Sequence, residues 1–397
     1  VIPINSVRDI DVRGKRVLCR FDFNVPIKDG IIGDDWRLKA ALPTIQYLIG
    51  QKARVIMMSH LDRPGGKRVE KLTLAPIAMR LGELLGKEVE FVDETVGQKV
   101  VEATKNLKEG ELLLLENTRF HQEENTNDSE FVEKLASLAT VYINDAFGTA
   151  HRKHASTYGV AIAMKERAAG LLILKEVENL SKLLMDPPAP FSLILGGAKL
   201  KTKIPVIKNL AHFIDNLIIG GGMAFSFLRE KGVPVGDSLV DETLFPDIEA
   251  LRSILEENNV RLIFPLDAVI AEEIGEGVNC EVVDIGSIPS AWKGVDIGPA
   301  TIEYFTSVII KSKTVFWNGP MGVFEVPPFD KGTLEIAKAM GKATERGSLT
   351  IVGGGDTDKA IKGRHIELSH LSTGGGASLR FLTGEELPAI SVLKKRR

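Results

Sequence analysis

The chain has 397 residues, 44% hydrophobic and 26% charged, and carries a formal net charge of −3. This composition is ordinary for globular proteins, and the length predicts two or three domains, each with room for its own core. So small a net charge excludes a global basic field that would recruit nucleic acid or an anionic membrane, so any anion has to be captured by local clusters.

The first apolar run, "RVLCR" (Arg16–Arg20), leads into Phe21-Asp22-Phe23-Asn24. "RVIMM" leads into Ser59-His60-Leu61-Asp62-Arg63, "LLLL" into Glu116-Asn117-Thr118-Arg119, and "VYIN" into Asp145-Ala146-Phe147-Gly148. Short continuous apolar runs predict strands buried on both faces of a parallel sheet. Helical spacing lies between them. Over residues 69–86, Leu72, Leu74, Ile77, Leu81, Leu84 and Leu85 recur at three-and-four spacing, with Gly86 as the expected C-cap. The alternation predicts a doubly wound α/β domain. Cys19, inside the first run, is expected to be a buried thiol; Cys280 is far away, and the pair makes neither a disulfide framework nor a zinc pattern.

"AGLLILKEVENLSKLLM" has helical periodicity and is stopped by "DPPAP" (Asp186–Pro190), which predicts a connecting helix from about Gly170 to Met185. Beyond it the strand-then-loop plan recurs with different loops. "FSLIL" ends in Gly196-Gly197, "NLII" in Gly220-Gly221-Gly222, "TVFW" in Asn318-Gly319-Pro320 and "LTIV" in Gly353-Gly354-Gly355. Met57, Met58 and Trp317 lie in apolar runs and read as core.

Open α/β sheets bind ligands beyond the carboxyl ends of their strands, so the loop residues carry the functional information. The first-half edge offers Asp22, Asn24, His60, Arg63, Arg119, Asp145, His151, Arg152 and His154, and Arg37 opens the helical run after the first loop. Singly, each is most simply a solvated or structural charge. Together, several arginines at equivalent strand ends suit a small polyanion, because guanidinium pairs bidentately with phosphate and carboxylate. No carboxylate-rich helix accompanies His151 and His154, and H-E-x-x-H is missing, so zinc is not indicated.

The second-half edge is glycine. One such loop would be an ordinary tight turn, but four at successive strand ends fit a nucleotide whose phosphates approach the backbone. Asp356, after the last glycines and at an expected helix start, is a candidate for holding Mg²⁺ against phosphate oxygens, with a plain N-cap as its alternative. "GGAKLKTKI" adds three lysines in five residues, among them Lys199 and Lys203. A Walker loop is absent, "GELLGKE" being one residue too short, and no G-x-G-x-x-G occurs. One edge for a small anion and another for nucleotide phosphates predict phosphoryl transfer, which needs positioning and cations rather than covalent chemistry.

Eleven stretches, "RFDFNVP", "DDWRLKAALPTI", "SHLDRP", "LLLENTRFH", "NDAFGTAHRKHAST", "GGAKLKTKI", "IIGGGMAF", "DIGP", "WNGPMGVFE", "GGGDT" and "STGGGAS", resemble phosphoglycerate kinase in family order, from about residue 8 to 390. The resemblance implies two doubly wound, Rossmann-like parallel-sheet domains, joined by a connecting helix and facing across a cleft. The implied division is 1–170 for 3-phosphoglycerate, 171–186 for the linking helix, 187–377 for the nucleotide, and 378–397 for a segment returning to the first domain. It implies reversible phosphoryl transfer from 1,3-bisphosphoglycerate to Mg-ADP in glycolysis, by direct in-line transfer after hinge closure.

Carried over position by position, Asp22, Phe23, Asn24, Arg37, His60, Leu61, Asp62, Arg63, Arg119 and Arg152 would hold phosphoglycerate. Gly196, Gly197, Lys199, Lys203, Gly220, Gly221, Gly294, Asn318, Pro320, Glu325, Gly354, Gly355, Asp356 and Thr357 would form the nucleotide site. Arg37, Lys203, Gly354 and Gly376 would serve catalysis, Glu325 the ribose and Asp356 the Mg²⁺. Four residues depart from the family pattern: Asp62 stands where glycine is common, Thr202 for an Asp, Asp358 for a small residue and Arg380 for a Glu.

Two other readings are open on residue types alone. A nicotinamide-dependent dehydrogenase would need the missing G-x-G-x-x-G, and a catalytically silent nucleotide-binding protein would tolerate loss of Arg37, Lys199, Lys203 or Asp356. No apolar run reaches about 18 residues and no secretory signal opens the chain, so a soluble, cytoplasmic protein is expected, without membrane or nucleic-acid partners. A monomer is the default expectation, and "KKRR" at the end reads as a solvated tail.

Overall fold

The computed structural model describes residues 3–395, so Arg396 and Arg397 of the basic tail lie outside it. The chain forms two compact units. One runs up to Glu178 and resumes at Glu386; the other is Asn179–Glu385.

In the first unit the strands, in chain order, are β1 (Arg16–Arg20), β2 (Ile27–Lys28), β3 (Ile31–Ile32), β4 (Arg54–Met58), β5 (Glu90–Val92), β6 (Leu112–Leu115), β7 (Val141–Asn144) and β8 (Glu166–Ala169). Six of them make a sheet in the order β5-β6-β4-β1-β7-β8. All its pairs are parallel, and β2 with β3 forms a small antiparallel hairpin outside it. The β6 and β7 residues are all buried, as are four of the five in β1 and in β4, which is why their runs are continuously apolar. Val17, Cys19, Val55, Met57, Leu114 and Ile143 pack on one face against Leu38, Ile45 and Leu48 of the helix Trp36–Gly50 and Ile77 and Leu81 of the helix Ala75–Leu85.

The helical pattern over residues 69–86 is broken where the sequence reading ran it through. Glu70–Leu72 is a single 3₁₀ turn, Thr73 is extended, and the α-helix begins at Ala75 with Pro76 in its first turn. Proline has no N–H to donate and fits where none is needed. Gly86 does cap the helix, in the left-handed conformation at φ 60°.

The linking helix spans Leu171–Ser181, ending four residues earlier than the periodicity suggested, and the division between units falls within it. The chain from Glu386 packs into the first unit: the Asn5 N–H donates to the Leu393 carbonyl at 2.9 Å and the Ala389 N–H to the Ala150 carbonyl at 3.1 Å. The helix Gly376–Leu382 stays with the second unit.

The second unit contains β9 (Phe191–Leu195), β10 (Asn216–Ile219), β11 (Arg261–Ile263), β12 (Asp267–Ala271), β13 (Cys280–Asp284), β14 (Lys293–Ile297), β15 (Thr314–Asn318), β16 (Leu349–Val352) and β17 (His370–Leu371). A parallel six-stranded sheet has the order β11-β10-β9-β15-β16-β17. A separate antiparallel sheet, β13-β12-β14, was not anticipated from the sequence. Trp317 is fully buried among Ile194, Val315, Ile336 and Met340.

Candidate active site

In the first unit, parallel strands put the segments after β1, β4, β6 and β7 at one carboxyl edge, which gathers most of the expected anion-binding residues. Arg37 stands in the first turn of its helix and donates from Nη1 to Asp22 Oδ2 at 2.5 Å. Burial opposes the Asp22 charge, but the neighbouring cations, Arg37 foremost, more than offset it and hold the carboxyl at about 2. Asn24 Oδ1 accepts the Asp62 N–H at 2.9 Å, and Arg119 Nη1 donates to the Asp62 carbonyl at 2.7 Å. These two bonds hold Asp62 at φ 51°, an uncommon conformation for a residue with a side chain.

Arg119 is 5% exposed, and its Nε is buried with no hydrogen-bond partner. Burial, then the charges of Arg20 and Arg152, lowers its pKa to about 10. Arg152 is half-buried beside His151, while Arg63 is exposed and makes no ion pair among the described residues. A buried guanidinium edge without a protein partner fits an anion that supplies the missing acceptor. Phe23 and Leu61 contribute differently from the charged residues. Their side chains are buried in the core, and the Phe23 ring stacks on Phe21 at 5.2 Å. Their backbones are engaged as well, the Phe23 N–H donating to Ser59 Oγ at 2.9 Å and the Leu61 N–H to Asn117 Oδ1 at 3.2 Å, so both residues shape the loops that carry the charged groups.

Three residues read as rim chemistry have other roles. Asp145 is fully buried and accepts the Ile173 N–H at 3.1 Å, at the start of the helix Leu171–Ser181. His154 is held neutral: burial, then Arg119 and Arg20, lowers its pKa to about 4. His151 lies beside Arg152, and no group of three potential metal ligands exists among the described residues. Conversely, Arg20 escaped the sequence reading. It is fully buried at the end of β1, and the only signal was a charged residue closing an apolar strand.

In the second unit the glycine loops follow β9, β10, β15 and β16 at one carboxyl edge. The Gly196 N–H donates to the Asn318 carbonyl at 3.0 Å and the Gly197 N–H to the Pro320 carbonyl at 2.7 Å. Asn318 Nδ2 donates to the Gly353 carbonyl at 2.5 Å, and Thr357 Oγ1 accepts the Gly319 N–H at 2.7 Å. Asn318 and Thr357 thus tie neighbouring loops together. A Cβ on Gly196 would lie 2.2 Å from the Pro320 oxygen, so only glycine permits this approach. By contrast, a Cβ on Gly355 or Gly376 would meet nothing within 4 Å. Open space therefore adjoins the first turns of the helices Gly355–Ile361 and Gly376–Leu382.

Lys203 is 7% exposed, and burial lowers its pKa to about 8 against the pull of Asp356. Lys199 is exposed one turn earlier. Beside the loops after β9 and β10 a cavity of about 430 Å³ is lined by Phe225, Leu239, Ile274, Val323, Gly294 and Glu325. Its size and apolar walls suit a nucleoside. Leu239 and Ile274 are 60% and 53% exposed, which an apolar partner in the cavity would account for. Gly197 and Gly221 join this cavity to the glycine edge, with Gly220 just before Gly221 in the β10 loop, and Gly354 takes φ 118° as the cap of the helix Gly355–Ile361.

Asp356 lies in the first turn of that helix, makes no capping bond and is exposed, with Lys359 at 3.8 Å. The N-cap alternative is therefore excluded. A single exposed carboxylate fits Mg²⁺ that takes its remaining ligands from phosphate and water, which is how this ion is commonly held.

A family model described as phosphoglycerate kinase matches residues 7–385. The chain belongs to the phosphoglycerate kinase family. Among solved structures, phosphoglycerate kinase from Coxiella burnetii is 39% identical, with a TM-score of 0.86 over 98% of this chain and 99% of that one. Phosphoglycerate kinase from Pyrococcus horikoshii OT3 is 32% identical, with a TM-score of 0.86 over 98% of both. The protein is thus a nucleotide-binding transferase with phosphoglycerate kinase activity in glycolysis, from a family whose members use Mg-nucleotide. No helix among the described residues is long and apolar enough to cross a membrane.

Proposed function

We propose that the chain reversibly transfers a phosphoryl group from 1,3-bisphosphoglycerate to Mg-ADP, giving 3-phosphoglycerate and ATP, by direct in-line transfer after hinge closure. The observation that carries this reading is the pairing, on one chain, of a cation-rich edge with an orphaned Arg119 Nε and a glycine-lined edge served by a buried lysine.

On this reading Asp22, Asn24, His60, Arg63, Arg119 and Arg152 hold phosphoglycerate, with Phe23, Leu61 and Asp62 completing the walls of the same loops. The loops at Gly196, Gly197, Gly220, Gly221, Asn318, Pro320, Gly354, Gly355 and Thr357 hold the nucleotide phosphates, with Lys199 at their margin. The cavity at Gly294 takes the base, and Glu325 takes the ribose. Arg37 and Lys203 offset charge on the phosphoryl group in transit, and the N–H groups near Gly354 and Gly376 add hydrogen bonds there. Asp356 would hold Mg²⁺, which supplies charge neutralisation of the phosphate oxygens. In the ATP-consuming direction the acceptor is a carboxylate, already ionised at neutral pH, so no general base is required. The working state is a cytoplasmic monomer.

The test is ADP formation from Mg-ATP, dependent on 3-phosphoglycerate and drawn forward by a coupled dehydrogenase. Turnover in the wild type that collapses in Lys203→Ala is expected. Nucleotide binding without phosphoglycerate-dependent turnover would defeat the reading.

A further inference from the structure

Arg20 raises a problem of charge. Its guanidinium is fully buried, yet no carboxylate among the described residues pairs with it directly. Taking such a group out of water is costly unless hydrogen bonds and a countercharge replace the solvent. Its bonds are all internal: Nε donates to Ser156 Oγ at 2.7 Å, Nη1 donates to the Phe21 carbonyl, and Nη2 lies 3.0 Å from His60 Nδ1. Asp22 is near enough for the two charges to attract, but Asp22 is already bonded to Arg37.

The remaining countercharge comes through Ser156. Glu124 is also fully buried, and its Oε1 accepts the Ser156 hydroxyl at 2.6 Å while Oε2 accepts the Ser156 N–H at 2.9 Å. The Tyr142 hydroxyl fixes the same residue by donating to its carbonyl at 2.8 Å. A serine hydroxyl has one proton, and here Glu124 takes it, so Ser156 Oγ is left to accept from Arg20. Guanidinium can only donate, so His60 Nδ1 must accept. The proton of a neutral His60 therefore lies on Nε2. Burial, reinforced by the charges of Arg20, Arg119 and Arg37, outweighs the pull of Asp22 and keeps the His60 ring neutral.

We propose that Glu124 and Ser156 are positioning residues that act through Arg20 to hold His60 in the Nε2–H tautomer, leaving it a fixed hydrogen-bond donor to phosphoglycerate. The proposal rests on the reading of the basic edge as the phosphoglycerate site. Glu124 touches neither the substrate nor His60; its role is to keep Ser156 Oγ an acceptor, which holds the Arg20 guanidinium in place to donate to His60.

The first test is the imidazole nitrogen spectrum of His60 in the unliganded protein. The wild type is expected to show Nε2 protonated and Nδ1 bare, and Ser156→Ala to show mixed tautomers. In steady-state kinetics Ser156→Ala should raise the KM for 3-phosphoglycerate by about tenfold, the loss expected for one hydrogen bond to a charged group, with the KM for Mg-ATP unchanged. Glu124→Gln provides a second variant should the first fail to fold, with the same split expected. Protonation of His60 at Nδ1 in the wild type would overturn the relay, as would an unchanged tautomer and KM in the variants. If His60→Ala and Arg63→Ala also left the phosphoglycerate KM unchanged, the reading of the edge would fail and this proposal with it.

Discussion

Asp145, at the end of β7, accepts the N–H of Ile173 at 3.1 Å and thereby tethers the start of the helix Leu171–Ser181 to the core of the sheet. Its other oxygen is buried without a partner. Burial pushes its pKa up to about 7, against hydrogen bonds from Thr44, Ile173 and Leu172. The native state therefore keeps a proton that the unfolded chain, titrating near 3.8, has released. That contribution to stability is complete below about pH 4 and is lost as pH rises through about 7. Asp145→Asn should gain stability relative to the wild type between pH 5 and pH 8, measured by urea unfolding. A difference between the two proteins that does not change with pH would refute the assignment. Asp296, also held at about 7 by burial, should behave alike.

Lys203 loses its charge as pH rises through about 8 in the free protein. The kcat/KM for Mg-ATP should therefore fall above pH 8, while kcat, which reports the complex with bound phosphates, should hold to higher pH. Lys203→Arg should shift or abolish the inflection, and Lys203→Ala should lower kcat by about a hundredfold to a thousandfold. A pH profile of Lys203→Arg that matches the wild type would assign the inflection elsewhere.

The glycines of the second unit divide into two kinds, and alanine should tell them apart. Gly196→Ala places a methyl against the Pro320 carbonyl and should lower the melting temperature along with nucleotide affinity. Gly376→Ala meets no protein atom within 4 Å, so it should fold and melt as the wild type does. Its kcat should nevertheless fall, because the methyl enters the space assigned to the phosphoryl group. Thermal melts with steady-state rates separate the two, and a fully active Gly376→Ala would remove that residue from the catalytic set.

Asp62 adds a carboxylate to an edge assembled from arginines, in a left-handed conformation that glycine adopts at less cost. Asp62→Asn keeps the backbone tolerance and removes the charge, so it should lower the KM for 3-phosphoglycerate by about twofold to threefold, the size expected of an exposed charge. Asp62→Gly should match it in KM. A higher KM in Asp62→Asn would instead make the carboxylate a contributor to binding.

Much of this architecture is legible in the sequence for one reason: a parallel strand covered on both faces cannot carry polar residues, so "LLLL" and "VYIN" announce themselves. The loops after such strands then fall at one edge without further information, which is how Arg119 and Gly196 could be placed. The antiparallel strands Asp267–Ala271, Cys280–Asp284 and Lys293–Ile297 gave no comparable signal, since four of five residues in Cys280–Asp284 are exposed and the rest are interrupted by Asp and Gly. Pattern alone also could not say that Pro76 would delay a helix by one turn. Asp145 was misjudged for a related reason: its position at a strand end is readable, but whether a side chain turns outward or back beneath the next helix depends on packing. The Glu124–Ser156–Arg20 relay joins residues far apart in the chain, with no local motif to reveal them.

The return of the chain at Glu386 makes the second unit, in topological terms, an insertion within the first. During synthesis every residue of Asn179–Glu385 leaves the ribosome before the segment that bonds to Asn5 and Ala150. The second unit can thus mature while the first still lacks its closing piece.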